Sequence, residues 1–264
     1  MTRLLIAGAA LMLALGAAHA AVKEEPVTYS DGATTMKGFV VYDDAMKDKR
    51  PGIVVVHEWW GITPHVRGEA RRLASQGYTA FIADLYGDAK TADNPKDAGA
   101  LSGAVRKNPD TMRARFEAAR KHLASHPTVD AARLGAIGFC FGGSVVLDMA
   151  RAGLELDGVA AFHAGLPPSG APAQRGKTRA KVLVLNGEAD PFIKPESVSA
   201  FKKEMEAAGV EYRYVSYPGA VHAFTNPEAT EKGRQFNLPL AYDAKADQAS
   251  KAEMERFFRT LFEK

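Results

Sequence analysis

What most constrains the fold of this chain is a series of short, unbroken apolar runs, each followed by a stretch with helical spacing. The runs "GIVVV" (52–56), "YTAFIA" (78–83), "RLGAIGF" (133–139), "GVAAF" (158–162) and "AKVLVL" (180–185) show no apolar–polar alternation. Strands of that kind need cover on both faces. Between them "RGEARRLASQG", ending at Gly77, "TMRARFEAARKHLASH", residues 142–151, "ESVSAFKKEMEAAG" and Lys245 to Phe262 read as helices. Strand–helix alternation over this length predicts an α/β fold: a mostly parallel central sheet with helices on both faces. "VTYSDGATTMKGFVVYDD" adds an N-terminal hairpin around Asp31-Gly32, "EYRYVSYPGA" a late strand, and residues 89–110 a polar excursion over the sheet edge. In such sheets ligands collect at the carboxyl ends of the strands.

The ends and the bulk composition set the context. Residues 1–20 have the parts of a secretory signal: Arg3, an uncharged run from Leu4 to Ala18, and the cleavage pattern Ala18-His19-Ala20. The expectation is a signal peptide over 1–20 and one domain over 21–264, placed in the periplasm or secreted, with no membrane insertion after cleavage. A net charge of +3 without a basic run argues against nucleic acid as a partner, and the protein is expected to act as a monomer. The chain has one cysteine, Cys140, so no internal disulfide can form.

That cysteine lies in Gly138-Phe139-Cys140-Phe141-Gly142-Gly143, after an apolar strand and before a helix. The arrangement fits a nucleophile elbow, in which a strand turns sharply into a helix and its central residue is held strained. Side chains two before and two after would collide, and both positions are glycine. The sulfur then sits at a helix N-terminus, where amide N–H groups favour a thiolate. A dinucleotide-binding loop would need G-x-G-x-x-G in the first strand–helix unit, not a mid-chain motif carrying two phenylalanines.

An elbow nucleophile needs an acid and a histidine after it in the chain. The strand-end carboxylates that follow are Glu188 and Asp190, and Asp190 lies deeper in its loop, before Pro191. His222 stands in the loop beyond the next strand; His163 competes as base but precedes every candidate acid.

With Gly187-Glu188-Ala189-Asp190, Gly219-Ala220-Val221-His222-Ala223-Phe224, His57-Glu58-Trp59-Trp60-Gly61 and Asp84-Leu85-Tyr86, the elbow makes the chain from about Pro26 onward resemble the dienelactone hydrolase family of α/β-hydrolases. The resemblance implies an α/β-hydrolase fold and a Cys140–His222–Asp190 triad. It implies a Glu58 carboxylate beside the resting cysteine that changes partner when substrate binds, and Trp59 and Phe141 backbone N–H groups as oxyanion donors. Family members acting on anionic lactones use arginines to grip the substrate carboxylate, one of them four residues after the histidine. Here that position is Asn226, and "DAGALSGAVRKNPD" offers no matching Arg/Tyr pair. "HEWWG" lacks a second histidine four residues on, so neither metal nor cofactor is expected. The side chains of Trp59 and Trp60 either line an acyl pocket or cover the sheet end.

The expected activity is hydrolysis of a small-molecule ester or lactone through a thioester. The alternative is a degenerate hydrolase serving as a binding protein. A thiol redox role is disfavoured by the absence of a second cysteine.

Overall fold

The structure, a computed structural model, describes residues 22–263, so the signal assigned to 1–20 lies outside the described residues. Strands β1 (Val22–Ser30), β2 (Thr35–Asp43), β3 (Arg50–Val56), β4 (Thr79–Ala83), β5 (Val129–Phe139), β6 (Gly158–Phe162), β7 (Lys181–Gly187) and β8 (Tyr212–Tyr217) form one sheet in the order β1-β2-β4-β3-β5-β6-β7-β8. The β1–β2 hairpin pairs antiparallel and turns where Asp31 accepts hydrogen bonds from the Ala33 and Thr34 amides. β2 joins β4 antiparallel, and from β4 to β8 every pairing is parallel.

Helices α1 (Pro64–Ser75) and α7 (Ala244–Phe262) cover one face of the sheet; α3 (Pro109–Ser125), α4 (Phe141–Arg151) and α5 (Pro195–Ala208) cover the other. β3 shows why its sequence has no polar side. Ile53 and Val55 pack with Val66, Leu73 and Met254, while Val54 and Val56 pack with Phe116, Leu123 and Val146. All seven residues of β3 are buried. Each such branched side chain contributes about 1.5–3 kcal/mol on full burial.

Two segments differ from the sequence expectation. Residues 89–110 contain α2 (Pro95–Arg106), opened by Asn94, whose side chain accepts a hydrogen bond from the Asp97 amide. Its Ala98 packs with Trp60, Ala223, Ala229 and Leu240, so the segment lies over the strands' carboxyl ends and not beyond an edge. The second is α6 (Ala229–Phe236), which the sequence reading does not contain. It packs on the same cluster, and Leu238 and Leu240, just after it, line the site cavity. Among the described residues no helix is long and apolar enough to cross a membrane.

Candidate active site

β5 ends at Phe139 and α4 begins at Phe141, leaving Cys140 alone to make the turn at φ 53°, ψ −112°. That conformation costs a non-glycine residue about 1–3 kcal/mol. The flanking glycines explain why it is tolerated. A Cβ at Gly138 would fall on the Gly142 carbonyl, and one at Gly142 on the carbonyls of Val56 and His57. A Cβ at Gly143 would lie 2.7 Å from that of Ala164. The Cys140 amide is spent on Phe162 O at 3.0 Å. Among the described residues, the Trp59 and Phe141 amides donate to no acceptor, which leaves both N–H groups free at the sulfur's end of the sheet.

The candidate acid and base follow the last two parallel strands, β7 and β8. After β7, Asp190 turns inward, its Oδ1 accepting the Phe192 amide at 2.9 Å. Its Oδ2 lies 2.7 Å from Nδ1 of His222, which follows β8. Glu188 is exposed and Asp190 is 3% exposed, so burial separates the two acid candidates. His222 and Cys140 line one cavity of about 380 Å³. Burial disfavours the imidazolium of His222, but the adjacent Cys140 sulfur and the Asp190 hydrogen bond overcome this and push its pKa up to about 10.

His163 is fully buried with its ring 5.3 Å from that of His222, and its Nε2 meets Thr225 Oγ1 at 2.9 Å. Burial, reinforced by the neighbouring His222 and His65, holds it well below the usual histidine range. Among the described residues it has no carboxylate partner, whereas His222 has Asp190.

Glu58 differs from expectation. Its carboxylate is buried, but its hydrogen bonds run to Asn226 Nδ2 at 2.7 Å and His65 Nδ1 at 3.3 Å, and none to Cys140. Burial pushes this carboxyl up, yet His65, Asn226 and the His222 charge together hold it below the usual carboxylate range. Asn226 is 2% exposed and fully committed, its Oδ1 accepting the Glu228 amide at 2.9 Å. It supports Glu58 and is not a substrate clamp.

The two tryptophans divide the roles left open by the sequence. Trp59 lines the cavity, whereas Trp60 is buried against Phe236 and Lys232. Tyr86, from the loop after β4, donates to the Trp59 carbonyl at 3.0 Å and so fixes the loop that carries the free Trp59 amide. The loop that carries Tyr86 is in turn built on Asp84, which accepts from the amides of Lys37, Tyr86, Gly87 and Ala89. Apolar groups dominate the remaining lining: Phe192, Ile193, Leu238 and Leu240. Arg106, at the end of α2, also faces the cavity, with its guanidinium 5.2 Å from the Phe141 ring centre. Sequence reasoning missed it, because a lone arginine in an alanine-rich stretch gives no sign of where its helix lies.

A strained cysteine elbow, a histidine bonded to a buried aspartate, and a largely apolar cavity at the carboxyl ends of a parallel sheet define an α/β-hydrolase. The model of the dienelactone hydrolase family matches residues 36–262, and the chain belongs to that family. A solved structure described as a dienelactone hydrolase-like promiscuous phosphotriesterase, P91, from metagenomic libraries superposes with a TM-score of 0.85. It is 35% identical and covers 92% of this chain and 99% of its own. Protein usf of Aquifex pyrophilus is 30% identical over 180 residues, 67% of this chain and 77% of that protein. A Methylorubrum extorquens protein named as a candidate carboxymethylenebutenolidase is 34% identical over 185 residues, 66% of this chain and 63% of its own. The protein is accordingly a hydrolase of the carboxylic ester and lactone class.

Proposed function

We propose that the hydrolase works through a Cys140–His222–Asp190 triad and a thioester intermediate. The observation that carries this reading is the position of His222, bonded to buried Asp190 at 2.7 Å on one side and sharing the cavity with Cys140. The Cys140 thiolate adds to the carbonyl carbon, and the oxyanion takes hydrogen bonds from the Trp59 and Phe141 amides. As the C–O bond breaks, His222 gives its proton to the leaving alkoxide, and a thioester remains. Acylation removes the sulfur's negative charge, one of the influences that hold the His222 proton. The imidazole can then take a proton from water, hydroxide adds to the thioester, and the carboxylate product leaves as the thiolate returns. Glu58 acts as the competitor for Cys140, parked away from it in this arrangement.

Replacing Cys140 with alanine tests the reading. Turnover of p-nitrophenyl acetate should vanish while the circular dichroism spectrum is retained, and mass spectrometry of the wild type under burst conditions should trap an acyl-cysteine. Full activity in the variant would refute the assignment. Because one structural relative is described as a promiscuous phosphotriesterase, a neutral phosphotriester belongs in the same panel. Export through residues 1–20 and action as a monomer complete the proposal. A periplasmic product beginning at Ala21 and sedimenting as one chain is the expected result.

A further inference from the structure

His65 is the second residue of α1, seven positions after Glu58, and nothing in the sequence marks it. The fold turns it inward: it is 8% exposed, its ring edge-on to Phe139, with both ring nitrogens engaged. Nδ1 lies 3.3 Å from Glu58 Oε2, and Nε2 lies 3.4 Å from Thr225 Oγ1. Thr225 in turn meets His163 Nε2 at 2.9 Å.

The donors along this chain order themselves if His65 is an imidazolium. Nδ1–H then donates to Glu58, Nε2–H donates to Thr225 Oγ1, and the Thr225 hydroxyl donates to a neutral His163. Burial opposes charge on His65, but Glu58, and Glu69 one turn along α1, raise it above the usual range against the opposing Lys251. A cation in the first turn of a helix faces the positive end of the dipole, so this charge depends on its carboxylates. Glu58 and His65 therefore stand or fall as a pair. Both Asn226 and His65 meet the same oxygen, Oε2, and among the described residues Oε1 accepts no hydrogen bond.

We propose that His65, with Asn226, is a positioning residue for the reaction: the two hold the Glu58 carboxylate away from Cys140, so that His222 and not Glu58 is the sulfur's proton-exchange partner. The proposal rests on the reading of Glu58 as the competitor for Cys140. Neither His65 nor Asn226 lines the substrate cavity, so both act through Glu58. Departure of Glu58 towards the sulfur would leave His65 with Glu69 alone, and the imidazolium would shed its proton. Occupation of the Cys140 side by Glu58 is thus tied to the charge on His65.

The single cysteine provides a direct readout, because iodoacetamide reports on one sulfur. In His65→Phe the ring packing on Phe139 is kept and the donor to Glu58 is lost. Alkylation at pH 7 and kcat/KM should each fall about tenfold, the order expected when a carboxylate is brought against a thiol, with KM unchanged. His65→Gln, which keeps an N–H donor, should lose less. In a Glu58→Gln background neither change should slow alkylation further. Wild-type alkylation in His65→Phe would overturn the proposal, and so would an equal loss in the Glu58→Gln background, which is what general damage to the fold would produce. If Cys140 is not the nucleophile, ester turnover survives in Cys140→Ala, yet alkylation still reports whether His65 acts through Glu58.

Discussion

Asp190→Asn is the substitution that most sharply tests how the base is held. The amide fits the space of the carboxylate, and its oxygen can still accept the Phe192 amide as Oδ1 does at 2.9 Å. Its NH2 group then faces Nδ1 of His222, where a 2.7 Å contact to a carboxylate stood. To avoid two opposed donors, the ring keeps its proton on Nε2 and presents N–H, not a lone pair, to Cys140. Two losses combine. The imidazolium formed during reaction forfeits a charge-assisted hydrogen bond, about 1.5–3 kcal/mol, and returning to the productive tautomer leaves a buried donor unpaired, about another 1–3 kcal/mol. The total, about 2.5–6 kcal/mol, is a fall in kcat of about 10² to 10⁴. The same exchange in a Ser-His-Asp triad costs about 10⁴. The assay is steady-state and burst kinetics with p-nitrophenyl acetate, with Glu188→Gln as the control, because Glu188 is exposed. A variant within about threefold of wild type, or a control that fails equally, would refute the reasoning, since a fall of even tenfold needs only about 1.4 kcal/mol.

Cys140→Gly should be more stable than Cys140→Ala, which loses the same sulfur, by about 1–3 kcal/mol in urea titration, with turnover abolished in both, because glycine relieves the strain at φ 53°. A histidine raised above its unfolded value stabilises the fold at low pH, so the contribution of His222 is full below about pH 6.5 and is lost as pH rises through about 10. Unfolding free energy should therefore fall more between pH 7 and pH 10 in the wild type than in Cys140→Ala; parallel curves would contradict it. Arg106→Ala should raise KM about fivefold for an ester bearing a carboxylate and leave a neutral ester unaffected, the scale of about 1 kcal/mol at the upper end for an exposed ion pair. Gly142→Ala should prevent folding or displace α4, because its Cβ would collide with the Val56 and His57 carbonyls; a soluble, active variant would show the elbow to be looser than drawn.

How much of this could be read in the sequence depends on the range of the forces involved. β3 was legible because burial on both faces leaves no polar position from Gly52 to Val56, and the elbow because only glycine survives two positions before and after Cys140. Asp190 and His222 followed from chain order, since parallel strands deliver successive loops to one edge. α6 was not legible: "ATEKGRQF" is polar, and its Ala229 and Phe236 find their partner in Trp60, far away in the chain. The same holds for Arg106, whose place depends on α2 folding back over the strand ends. The partners of Glu58 were hidden for a different reason. His65 and Asn226 lie 7 and 168 positions from it, and neither spacing has periodic meaning.

The sheet order also has a consequence for how the catalyst fails. The elbow rests on β5, paired on both sides, but the imidazole hangs from β8, an edge strand that pairs only with β7. β8 has no buried residue, its side chains being half-buried or, at Arg213 and Ser216, exposed, and it is the least protected support of the proposed triad. Segments of this kind open at lower free energy than the interior. Fraying of that rim on warming would withdraw the ring from the sulfur while the central strands stay paired, so inactivation precedes melting and reverses on cooling.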